Sequence, residues 1–162
     1  MKGKLIIGFA LVAGLSFTTP GWAKTFSNKN LKGTYTERFS GFVGSTANPF
    51  PTGTSLPQSG TGTESADGKG NFTANLVFSI GGTTCSGTVA GTYVVNADGS
   101  GTSTGTFTPN VTAPTGIPSP NYACPPGTLQ DEAFTIVGQG EVDFISTDAD
   151  SVVTGVAVKQ TH

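Results

Sequence analysis

Between Asn71 and Ile80 the chain alternates Phe72, Ala74, Leu76, Phe78 and Ile80 with Thr73, Asn75, Val77 and Ser79. A period of two sends successive side chains to opposite faces, so this segment reads as a half-buried strand and not as a helix. Gly81-Gly82 then turns the chain. From Thr83 to Val95 the same period returns, with Cys85, Gly87, Val89, Gly91, Tyr93 and Val95 on one face. Two such runs in succession commit the chain to antiparallel sheet.

The pattern extends in both directions. Leu31, Gly33, Tyr35, Glu37, Phe39 and Gly41 share one face of a first strand, and Lys32, Thr34, Thr36, Arg38, Ser40 and Phe42 share the other. Gln58 to Ala66 reads as a Gly- and Thr-rich strand and Thr102 to Thr108 as another. Thr128 to Val137, Glu141 to Ser146 and Ser151 to Lys159 complete the set, with Val142 and Phe144 inward, and Val152, Thr154, Val156 and Val158 taken as the inward face of the last. The turns ADGKG (66–70) and ADGSG (97–101) repeat one hairpin type, because Asp and Gly accept the backbone angles a tight hairpin requires. Two Pro-rich stretches, 43–57 and 109–127, read as long loops.

Eight strands joined mainly by short hairpins predict an all-β fold of antiparallel neighbours, an up-and-down β-barrel, with a two-sheet sandwich as the alternative. Composition agrees. Thr is the commonest residue, Gly numbers 24, and only 11 % of residues are charged. Thr, Val, Phe and Tyr suit pleated strands better than helices.

The first 23 residues stand apart. Lys2 and Lys4 precede an uncharged apolar run, Leu5 to Phe17, and Gly21-Trp22-Ala23 places small residues around a cut after Ala23. These are the parts of a cleavable signal peptide, and the apolar run is short of the roughly 20 residues a spanning helix needs. The expected product is a periplasmic or secreted protein: a loose leader at 24–30, then one domain over 31–162. Two basic residues leave with the signal, so six face ten acids, a formal net charge of −4. That balance, with Arg38 the only Arg, leaves no electrostatic footprint for nucleic acid. The Thr-, Ser-, Asn- and Lys-rich outward faces do not form the apolar band of a membrane-inserted barrel.

In an exported chain Cys85 and Cys124 read as a disulfide. It would close a loop of about 40 residues, a constraint of roughly 4 kcal/mol on chain entropy.

The segments LKGTYTERFSGF, GTYVVNADGSGT and GEVDFIST resemble small exported bacterial proteins of the allene oxide cyclase-like and lipocalin-like (calycin) barrel group. The likeness runs over most of the exported part as a pattern of strands and turns. The lipocalin Gly-x-Trp signature is missing, since the only Trp is Trp22 in the signal peptide. The resemblance implies a barrel with a central cavity that takes a small apolar molecule.

Few residues are able to do chemistry. The only His is His162, the last residue, so a His-based triad, general base or metal site has no material, and no catalytic residue, metal or cofactor is assigned. Carboxylates remain. Glu37 shares the inward face with Tyr35 and Phe39, where a carboxyl group needs a partner or a proton. Asp131 and Glu132 are adjacent, so one of them must also face inward. Asp148 and Asp150 read as a solvated turn. The expected ligand-binding set is Tyr35, Glu37, Phe39, Phe78, Tyr93 and Phe144, with Glu37 as polar anchor. The alternatives are a structural or surface-interaction domain, acting through the two long loops, and a carboxylate-dependent enzyme.

Overall fold

The computed structural model describes residues 24–44, 54–110, 129–138 and 140–161. Residues 1–23, read as a signal peptide, lie outside them, as do Cys124, His162 and 45–53 and 111–128 of the two predicted loops.

Eight strands close into one barrel in sequence order: β1 (Gly33–Gly44), β2 (Ser55–Ala66), β3 (Asn71–Ile80), β4 (Thr83–Val95), β5 (Ser100–Pro109), β6 (Leu129–Ile136), β7 (Glu141–Ser146) and β8 (Ser151–Lys159). Every neighbouring pair is antiparallel, and β1 pairs with both β2 and β8. The expected up-and-down barrel is the observed fold, and the sandwich is not. Closure leaves no sheet edge unpaired.

An eight-stranded barrel has an interior just wide enough for side chains to fill. The inward faces of β3 and β4 are those of the alternation, and Phe72, Leu76, Phe78, Cys85, Val89 and Tyr93 are all buried. Glycine makes room for the large rings. A Cβ on Gly155 would strike the Phe144 ring, and one on Gly101 the Phe134 ring. Small residues opposite aromatic ones let eight faces meet on one axis.

Three expectations need correction. The last strand has the opposite phase: Val153 and Ala157 are buried, while Val152 and Val158 are 65 % and 44 % exposed. The run SVVTGVAV is apolar on both faces, so alternation could not set its phase. Pairing with β1 sets it instead, since Val153 meets Gly41 and Ala157 meets Glu37. The first strand begins at Gly33, not Leu31. Residues 28–31 form a 3-10 turn, held by Asn30 N donating to Ser27 O at 2.9 Å, with Leu31 buried. The leader is therefore not loose. It lies across one end of the barrel: Phe26 N donates to Ala97 O at 3.1 Å, and Asn28 Oδ1 accepts from Val95 N at 2.8 Å.

The interior has two halves. Away from this plug, Phe78 packs edge-on to Phe107 at 5.2 Å between ring centroids and tilts against Phe39 at 6.3 Å. Those rings fill the barrel. Nearer the plug the filling is incomplete.

Candidate functional site

Between Leu31 and the aromatic layer lies a cavity of about 40 Å³. That is room for about three water molecules. Its polar lining comes from five strands: Tyr35 and Glu37 of β1, Glu64 of β2, Tyr93 of β4, Ser103 of β5 and Glu132 of β6. The rings of Phe72, Phe134 and Phe144 supply much of the rest.

Register explains how these residues meet. Tyr35 stands opposite Glu64 across β1–β2. Tyr93 stands opposite Ser103, and Ser103 opposite Glu132, across β4–β5–β6. Two short polar arcs thus face one another across the barrel. Glu37 sits one inward step beyond Tyr35, where Gly62 opposite leaves room for its carboxyl. A Cβ on Gly62 would come within 2.8 Å of Glu37 Oε1.

Hydrogen bonding in the cavity is uneven. Tyr93 Oη is satisfied: it accepts from Gly68 N at 2.9 Å and donates to Asn28 O at 3.3 Å. This ties the ring to both the β2–β3 turn and the plug. Ser103 Oγ donates to Glu132 Oε2 at 3.1 Å. Tyr35 Oη and Glu37 Oε1, by contrast, are buried without a hydrogen-bond partner. Tyr35 is 2 % exposed and Glu37 7 %. Leaving one such buried group unpaired costs about 1–3 kcal/mol, so two at one cavity call for a partner.

Electrostatics sharpen the point. No Lys or Arg lines the cavity among the described residues. Lys159 stands opposite Tyr35 in register, but its Nζ donates outward to Lys32 O at 2.6 Å. Arg38 is exposed on the outer face. With no counter-charge, burial, then Glu64 and Glu132, together raise Glu37 to about 8. Burial and then Glu132 push Glu64 to about 7. Glu132 also rises to about 7 through burial, against the lowering effect of the Ser103 hydrogen bond. Burial, then Glu64 and Tyr93, push Tyr35 to about 12. At neutral pH the cavity therefore holds protonated or half-protonated acids.

Of the expected ligand-binding set, Tyr35, Glu37, Tyr93 and Phe144 come together at this cavity. Phe39 and Phe78 do not; they belong to the aromatic layer of the other half. Glu132 is the inward member of the Asp131–Glu132 pair. Glu64 was missed: residues 59–65 of β2 are Gly, Ser and Thr apart from Glu64 itself, with no apolar phase to mark the inward face. Phe72, Phe134 and Ser103 were also not singled out. Cys85 is buried on the inward face of β4, opposite Phe78.

No protein-family model matches the chain, and no curated protein or solved structure matches it either.

Proposed function

We propose that this chain is an exported barrel that binds a small molecule bearing hydrogen-bond donors in the cavity beneath Leu31. One observation carries the reading: Tyr35 Oη and Glu37 Oε1, both deeply buried, face one cavity with no protein partner. A filled structural barrel would place apolar side chains there. The lining favours a polar ligand over the apolar molecule that the calycin-like resemblance implies. The size is selective too. A cavity of about 40 Å³ is far below the roughly 300 Å³ and upward of a drug-sized site. A sugar substrate for a carboxylate-dependent enzyme has no room in it.

Export through residues 1–23 and a Cys85–Cys124 disulfide belong to the same proposal. A covalent tie from Cys85 on β4 to Cys124 would anchor the 109–127 stretch to the barrel. Intact-mass analysis of the exported protein tests both. It should begin at Lys24 and gain two hydrogens on reduction. Binding itself is tested by native mass spectrometry of that protein, freshly isolated and then after exchange into ligand-free buffer. A retained small adduct, lost in the Tyr35→Phe/Glu37→Gln double variant, is the expected result. An adduct that persists in that variant would place the ligand elsewhere.

A further inference from the structure

Three carboxyl groups and two phenols surround one cavity that has no cation of its own. The groups facing it come from every strand that carries a titratable side chain there: Tyr35 and Glu37 from β1, Glu64 from β2, Tyr93 from β4, and Glu132 from β6. Asp148 acts on Glu132 from the β7–β8 turn, and Asp67 acts on Tyr93 from the β2–β3 turn. The cavity-lining residues of β3, β5, β7 and β8 are Phe72, Ser103, Val142, Phe144 and Ala157, none of them charged. Every ionisable group in reach is therefore an acid.

We infer that the ligand is a small organic cation, an alkylammonium or guanidinium of a few heavy atoms, held by Glu37, Glu64 and Glu132 and by the unpaired Tyr35 hydroxyl. This deepens the binding reading and rests on it. Four features converge. The missing charge is positive. The unpaired Glu37 Oε1 and Tyr35 Oη can each accept a hydrogen bond, and the N–H groups of such a cation supply one directly. The remaining wall is aromatic, and ring faces attract organic cations. Among the described residues no group of three or more acidic, His or Cys side chains is placed to hold a metal ion. Acids too dispersed to converge on one point ion are still within reach of a cation that spreads its N–H donors.

The chemistry sets a proton balance. When the cation enters a site whose acid is protonated, one carboxyl proton leaves to solvent and the ion pair replaces it. Binding is therefore linked to pH. Affinity rises about tenfold per pH unit while the acids are protonated and levels off once they have ionised. Glu37, with its ordinary value of 4.5 raised to about 8, and its neighbours at about 7 place that rise across neutrality. For a ligand of about three heavy atoms, a ceiling of about −1.5 kcal/mol per atom puts the dissociation constant no lower than about 0.5 mM.

The test is calorimetric titration of the purified exported protein at pH 6 and pH 8. The probes are methylammonium, ethylammonium and guanidinium, with ethanol as the neutral counterpart of ethylammonium and calcium chloride as a metal control, each to about 10 mM, well above that limit. At least one organic cation should bind at pH 8, at least tenfold more weakly at pH 6, and at least tenfold more weakly to Glu37→Gln or Glu64→Gln. Glutamine copies the shape of the protonated acid, so at least one of these variants should fold as the parent does, which its circular dichroism checks. Ethanol binding as well as ethylammonium does would leave the binding barrel standing and overturn the cation. Calcium binding in place of the organic cations would overturn it in favour of a metal. Binding by none of the probes would remove the cation; if native mass spectrometry also finds no adduct, the binding reading falls with it.

Discussion

Glu37→Gln should leave stability nearly unchanged in acid and raise it in base. In the unfolded chain Glu37 titrates near its ordinary 4.5, and in the barrel near 8. Between those values the folded state holds a proton that the unfolded state has lost. Stability from this group is thus complete below about pH 4.5 and is lost as the pH rises through 8. One pH unit of difference is worth about 1.4 kcal/mol, so the full interval corresponds to at most about 5 kcal/mol. The cavity has room for about three waters, and their solvation of the carboxylate should cut that to roughly 2–3 kcal/mol. Glutamine keeps the shape and the donor of the protonated acid but cannot ionise. At pH 5 the variant should lie within about 1 kcal/mol of the parent, and at pH 9 it should be the more stable by roughly 2–3 kcal/mol. Urea unfolding followed by circular dichroism at pH 5, 7 and 9 reads this directly. Asp67 and Asp98 do not interfere, because their hydrogen bonds lower them from 3.8, and what they contribute is lost only as the pH falls below that. Parallel curves for parent and variant, or a variant weaker at every pH, would mean that Glu37 is ionised and paired, and the account of the cavity would be wrong.

Other substitutions probe the frame around the cavity. Tyr93→Phe removes the acceptor of the buried Gly68 N–H and the link to Asn28 O, and should cost about 1–3 kcal/mol in urea unfolding. Gly62→Ala pushes a methyl toward the Leu76 side chain, Asn75 O and Glu37 Oε1, and overpacking of this kind should lower stability by about 1–3 kcal/mol. The phase of β8 is checked by a pair: Val152→Asp, on the outer face, should change stability by no more than about 0.5 kcal/mol, whereas Val153→Asp buries a charge and should prevent folding at neutral pH.

Much of the barrel is legible in the chain wherever one face is apolar and the other polar. In β3 and β4 each inward residue is a ring, an aliphatic, a Cys or a Gly, each outward one is mostly Thr, Ser or Asn, and the phase follows from composition alone. It fails at two strands for opposite reasons. β8 is apolar on both faces, so its inward set is fixed by pairing with β1 across the closure between the first and last strands. β2 is polar on both faces, so the inward position of Glu64 follows only from its place opposite Tyr35. The leader was misjudged for another reason. Phe26 acts through a backbone hydrogen bond and its ring, and Asn28 through its side-chain oxygen and backbone carbonyl, and none of these contacts leaves a periodic trace. Glu37 was visible because an acid interrupted a clean apolar face. Its neighbours stayed hidden because their strands gave no clean face to interrupt.

That contrast bears on what the cavity is for. The half of the barrel around Phe39, Phe78 and Phe107 shows how this chain fills its interior when stability alone governs: rings, Cys85 and glycine clearances. The same glycine-for-ring exchange is used in the other half, at Gly101 for Phe134 and Gly155 for Phe144. Yet there three of the inward positions carry carboxyl groups that burial drives toward their protonated forms. A Leu at position 37 or 64 would remove that penalty and, by the logic of the aromatic half, would fill the space. Acids are poor filler, and three of them around one space with no basic residue work against folding at neutral pH. They make physical sense where something else completes the charge.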